Sequence, residues 1–257
     1  MDEIQTGESG TTRSVPLAGS GSRTLDRGAL RSASMLIFCG VVISLVAGLF
    51  HADAASANDH VASFTEYAHS DIWIGVHLGQ FVGMALFAGG MIALLGALNV
   101  PRGALALTAR FGALSAAVSI ALYGALQAVD GVALKHAVNA WASAAEPEKA
   151  MRFVSAEGIR WLEWGMRSYH SFLFGSALII SGVVILATGR ISRTIGILMG
   201  LSGVAYLVQG WIIGVEGFAA ANTVPTLSGI VLTVVWTGWL LFPLLSTAFS
   251  RPWTASP

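Results

Sequence analysis

IWIGVHLGQFVGMALFAGGMIALLGALN, residues 72–99, contains no Asp, Glu, Lys or Arg. Crossing about 30 Å of hydrocarbon takes roughly 20 apolar residues in a helix. This stretch is long enough, and lipid offers no water to its backbone, so a helix is the structure it must adopt. Gly75, Gly79 and Gly83 recur within it as two overlapping GxxxG units, which let a second backbone approach closely. Five more apolar runs flank it: Ser34–Phe50, Phe111–Val132, Trp161–Ala187, Thr194–Val215 and Thr226–Phe249. The expected fold is therefore all-α, a polytopic membrane domain of six transmembrane helices over residues 34–250.

The polar segments between the spans complete this outline. Residues 1–33 are rich in Gly, Ser, Thr and Arg and read as a disordered cytoplasmic tail. Residues 251–257 read as a second cytoplasmic tail. The outer loops are expected at 51–71, 134–160 and 216–225. Pro147 reads as a helix start, so the fourth helix should begin outside the bilayer and run inward past a weak point at Gly158. Pro243 should kink the last span. Ala113, Ala117, Ala121 and Ala125 repeat every fourth residue in the third span, and, like the glycines, are expected to pack within the chain.

Composition narrows the function classes. The chain has 257 residues, 54% hydrophobic and 11% charged, with mean hydropathy +0.70. Soluble domains carry about 25% charged residues, so an ordinary soluble enzyme is excluded. Its 14 Lys and Arg balance 14 Asp and Glu, which excludes a nucleic-acid binder that must neutralise phosphates. Cys39 is the single cysteine. It leaves no internal disulfide, no paired-thiol chemistry and no Cys/His metal pattern, and no metal set is read from the sequence.

Charge distribution sets the topology. Nine of the fourteen basic residues fall in the N-tail, the second–third and fourth–fifth connections and the C-tail. By the positive-inside rule these lie in the cytoplasm, and both termini with them. The outer side then holds ten of the fourteen acids and all six histidines. Arg27 and Arg31, the run Met35–Phe50 and Ala52-Asp53-Ala54 imitate a cleavable signal peptide. The long tail and long apolar run favour an uncleaved anchor.

Counting about 20 residues inward from each cytoplasmic boundary brings a polar group to the outer leaflet on five helices. His77 and Gln80 are three residues apart. Ser119, Tyr123, Gln127 and Asp130 form one stripe, as do Glu163, Arg167 and His170, and Ser202, Tyr206, Gln209 and Glu216. Polar stripes within membrane helices face the bundle or a wet cavity. The candidate ligand-binding residues are therefore His77, Gln80, Gln127, Asp130, Glu163, Arg167, His170, Gln209 and Glu216. Arg167 lies near a helix N-terminus and Asp130 and Glu216 near C-termini, the unfavourable pole for each, so Arg167 is expected to pair with one of these acids. Glu163 four residues before Arg167 is the competing partner. Val129-Asp130-Gly131-Val132-Ala133 echoes Val215-Glu216-Gly217-Phe218-Ala219, which suggests two copies of one hairpin, spans two–three and four–five. Trp73, Trp161, Trp164 and Trp211 read as an interfacial aromatic belt, and His60, His69 and His136 as solvated.

The favoured functional reading is a non-enzymatic plasma-membrane protein. It would bind or sense a small polar ligand or protons through this outward-facing cluster, with no catalytic residue assigned. Its partners would be the lipid bilayer, that ligand, and a second copy of the chain in a homo-oligomer. The alternative is a membrane enzyme. One form is a b-type haem redox protein with His77 and His170 as axial ligands. The other is an intramembrane hydrolase using Glu163, His77 and His170.

Trp73-x-x-x-His77-Leu78-Gly79-Gln80-Phe81-x-Gly83, Gln127-Ala128-Val129-Asp130-Gly131-Val132-Ala133-Leu134-Lys135 and Arg160-Trp161-Leu162-Glu163-Trp164-Gly165 carry a resemblance. With His51, Asn58, Phe64, Tyr67 and Ser70, they look like the motifs of uncharacterised bacterial multi-pass membrane proteins with about six helices. The resemblance covers roughly residues 30–250. It implies a bacterial inner-membrane location and no particular activity, substrate or cofactor.

Overall fold

The computed structural model describes residues 25–52 and 54–245. Among them the chain is all-helical, without strands, and six helices are long and apolar enough to cross a membrane. The elements are α1 (Arg27–Leu49), α2 (His60–His69), α3 (Trp73–Ala97), α4 (Ala104–Ala128), a π-helical turn (Val129–Leu134), α5 (Lys135–Ala142), α6 (Glu146–Thr188), α7 (Arg193–Glu216), a short 3-10 turn (Ala220–Asn222) and α8 (Thr223–Leu245). Large apolar side chains such as Phe111, Leu114, Val118, Leu201, Val231 and Phe242 are exposed around the outside. A water-soluble chain does not expose so continuous an apolar surface; here it is the lipid-facing side of the spans.

Close backbone crossings hold the bundle together. Gly40 of α1 meets Gly83 of α3, where a Cβ on Gly40 would lie 2.6 Å from the Gly83 carbonyl oxygen. Part of the predicted glycine stripe thus packs within the chain, and its partner is α1. In α6 and α7, a Cβ on Gly175 would lie 2.6 Å from the Gly203 carbonyl oxygen, and one on Gly182 would lie 2.5 Å from that of Gly196. Lipid tails are as apolar as leucine, so such van der Waals packing supplies much of helix association in a bilayer. The alanine stripe behaves differently, because Ala117 and Ala121 are exposed.

Several boundaries differ from the sequence reading. The helix begins at Arg27, inside the expected tail. Asp26 caps it by accepting a hydrogen bond from the Ala29 N–H at 2.9 Å, and Leu30 and Ala33 are buried against the core. Residues 1–24 lie outside the described residues, as do the end of the last span beyond 245 and the tail at 251–257. The expected loops at 51–71 and 134–160 contain α2 and α5. Helix α6 starts at Glu146, as Pro147 predicts, and continues without a break through Gly158. It ends at Gly189, whose φ of 59° is left-handed and stops the helix.

Two cores stack along the bundle. The larger lies in the spans and includes Met91, Leu94, Leu98, Ile185, Met199 and Trp236. The smaller joins Phe64, Tyr67, Trp73, Leu134, Val138 and Ala156 from α2, α3, the π turn, α5 and α6. It forms a cap over one end. Lys135 fastens this cap by donating to the carbonyls of Tyr67 and Ala68 at 2.7 and 2.9 Å, across the C-terminal end of α2. A cation there also meets the negative pole of the helix dipole. Asn58 fastens the other side, donating to the Glu216 carbonyl and accepting from the Phe218 N–H, both at 2.9 Å.

Candidate functional site

Between the cap and the main core lies a cavity of about 430 Å³. Its walls come from all six spans, and Phe174, which belongs to the main core, forms part of its lining. Gln80, Gln127, Asp130, Glu163, Arg167, His170 and Gln209 all line it. The helical stripes therefore converge as their spacing predicts. His77 sits behind Asp130, fully buried. Glu216 is the exception. It is the last residue of α7, about 10 Å along the axis from Gln209, and its side chain is exposed beyond the cavity.

The charge pairing differs from the expectation too. Asp130 is engaged by His77, whose Nε2 lies 3.0 Å from its Oδ2. Glu163 pairs with Arg160, one turn earlier on α6, rather than with Arg167. Arg160 also donates to the Tyr67 hydroxyl at 3.1 Å and to the Ala57 carbonyl, so it ties the span to the cap. The two acids nearest the cavity are thereby taken. Among the described residues, no carboxylate lies within ion-pairing distance of Arg167. Its guanidinium lies 5.9 Å from the centre of the Tyr123 ring, and its Nε is buried without a hydrogen-bond partner.

The polar amides and imidazoles divide into satisfied and unsatisfied groups. Gln209 accepts from Ser171 at 3.2 Å and donates to Thr226 at 2.8 Å, bridging three helices. His170 donates from Nδ1 to the Ser119 carbonyl at 3.2 Å and stacks on Phe174. Gln127 donates to Gln80 at 3.3 Å, yet its own carbonyl oxygen is buried and unpartnered. Asp130 Oδ1 is likewise buried and unpartnered. Buried polar atoms are nearly always paired. Among the described residues, five such unpaired atoms, on Gln127, Asp130, Arg160, Arg167 and Asn222, belong to residues lining one cavity.

The π-helical turn positions Asp130. A wider turn places the Asp130 carbonyl within 3.0 Å of the Trp73 indole N–H, which donates to it. Gly131 lets α3 come close, since a Cβ there would lie 2.5 Å from the His77 Cβ. Trp73 is consequently 2% exposed and belongs to the cap core, not to an interfacial belt. His60 is also not solvated: its Nδ1 lies 2.8 Å from Glu157 and its ring stacks on Phe64.

His77 and His170 have different surroundings. His77 is held between the Trp73 carbonyl and Asp130, while His170 turns toward Ser119 and Phe174. The proposed hairpin echo does not extend to the sites either. Asp130 is buried and bonded to His77, but its counterpart Glu216 is exposed. The candidate binding set read from the sequence leaves out Arg160, Tyr67 and His51, which also line the cavity. Arg160 lies three residues before Glu163 on the same helix, a spacing that carries the signal for their pair. No protein-family model, curated protein or solved structure matches this chain.

Proposed function

We propose that this multi-pass membrane protein binds a small polar solute carrying an anionic group, in the cavity beneath the cap. One observation carries the reading: Arg167 lines that cavity with a buried, unpartnered Nε, while the neighbouring acids are paired elsewhere. A carboxylate or phosphate oxygen is the natural partner of a guanidinium. Gln127 and Gln80 offer amides to the rest of the solute. The volume lies toward the small end of ligand sites, about 300–1,000 Å³, and suits a compact metabolite.

The capped end is assigned to the outside of a bacterial plasma membrane, with both termini in the cytoplasm. The support is the excess of Lys and Arg on the opposite connections. Reporter fusions at the C-terminus and within 143–145 test this orientation. It fails if the C-terminal reporter is active outside.

Solute binding is tested on the full chain in detergent, by thermal shift and calorimetry with acetate, succinate and inorganic phosphate. At least one should bind saturably, and Arg167→Gln should weaken that binding at least about tenfold, the cost of a hydrogen bond to a charged group. Binding that Arg167→Gln leaves unchanged, or no saturable binding of any of the three, refutes the reading.

A further inference from the structure

His51, at the bend after α1, meets His77 and Asp130 at the cavity wall, and potential ligand atoms of all three lie within 4.8 Å of one another. We propose that these residues form a binding site for a divalent first-row transition-metal cation, with open coordination positions facing the cavity. Two imidazoles and one carboxylate are a donor set that such ions favour.

The hydrogen bonds around His77 point to a positive centre. Its Nδ1 lies 2.8 Å from the Trp73 carbonyl, an acceptor, so Nδ1 carries the ring proton. A neutral His77 then turns the bare lone pair of Nε2 toward Asp130 Oδ2, 3.0 Å away. Two acceptors at that distance need a cation between or beside them. A second ring proton would serve two groups. Three donors converge here, with the His51 and His77 rings 5.1 Å apart, and a metal ion uses all of them.

The surroundings are built as metal sites are. Ligand histidines usually donate their second nitrogen to a carbonyl or carboxylate, which fixes the ring and raises its basicity. The Trp73 carbonyl does this for His77, while the Trp73 indole holds the Asp130 backbone. Asp130 is 9% exposed, and its Oδ1 has no partner. Bond lengths of about 2.0–2.1 Å place the ligand atoms of a tetrahedral ion about 3.3 Å apart. His77 and Asp130 already meet this spacing, and His51, half-buried beyond the end of α1, closes the remainder by a shift of about 1.5 Å. Binding releases any proton shared by His77 and Asp130.

The site faces the same cavity as Arg167, but its test uses no solute. The full chain, purified in detergent and stripped with a chelator, is titrated with Co²⁺ as the probe. The expected result is one equivalent bound, with visible d–d absorption that Zn²⁺ abolishes by displacement. His51→Ala and Asp130→Asn should each weaken binding more than about tenfold, since even loss of an outer-shell partner costs 10–100-fold. His60→Ala should not. X-ray absorption of the wild-type cobalt complex needs no variant and should show two imidazole ligands. Absence of stoichiometric binding, a complex with fewer than two imidazoles, or equal affinity in folded His51→Ala or Asp130→Asn protein overturns the proposal. Either result leaves the Arg167 test to stand or fall separately.

Discussion

Arg160 and Glu163 form an ion pair one helical turn apart on α6, and both side chains are almost wholly buried, 4% and 3% exposed. Breaking a buried pair by removing one partner costs about 3–5 kcal/mol, because the other charge is left without compensation. Glu163→Leu should therefore destabilise the protein by about that amount. The double variant Arg160→Met/Glu163→Leu should lose much less than the sum of the single changes. Thermal unfolding in detergent, set out as a double-mutant cycle, checks this; additive losses would show that the pair contributes nothing.

The α6–α7 crossing makes a sharp contrast between glycines. A Cβ on Gly203 would lie 2.5 Å from the Gly175 carbonyl oxygen, whereas one on Gly158 meets nothing within 4 Å. Gly203→Ala should cost about 1–3 kcal/mol through overpacking. Gly158→Ala, on an exposed helical position, should stabilise by about 0.5–1 kcal/mol. Midpoints of unfolding for the two variants, compared with the parent, decide the matter. Equal shifts would mean that the crossing is looser than these distances imply.

Lys135 holds the cap through two backbone carbonyls. Lys135→Met keeps the aliphatic stem but removes both hydrogen bonds from the charged group, worth about 1.5–3 kcal/mol. Hydrogen exchange should rise in residues 60–69 and stay unchanged in 193–210. Uniform acceleration through the spans would contradict a local role.

Asn58 should act on the neighbouring segment. Asn58→Ala removes both bonds to the end of α7, about 0.5–1.5 kcal/mol for each. Residues 54–59 should become more susceptible to limited proteolysis while the spans remain resistant. Unchanged cleavage would show that the Glu66 carboxylate, which accepts from the N–H groups of Ala54 and Ala55, suffices alone.

The six spans were legible because each depends on a local property, the length of an apolar run. The same holds for the stripes of α4 and α6, where steps of three and four place Tyr123, Gln127 and Asp130, or Glu163, Arg167 and His170, on one face. Partner choice was not legible. Arg167 has acids before and after it in sequence, but Asp130 is taken by His77, 53 residues away, and Glu163 by Arg160. Tertiary placement decides such pairs. The cap was hidden for a related reason: α2 is short and carries polar residues, so it reads as loop until Phe64 and Tyr67 find Trp73 and Leu134.

The π turn at Val129–Leu134 amounts to one surplus residue in an otherwise α-helical rod. At 3.6 residues per turn, one residue is a phase step of about 100°. Upstream of it the helix is phased so that Tyr123 and Gln127 line the cavity; downstream it is phased so that Lys135 reaches α2. The same continuous helix therefore serves two unrelated faces, and a one-residue deletion there would leave either the bundle or the cap in register, but not both.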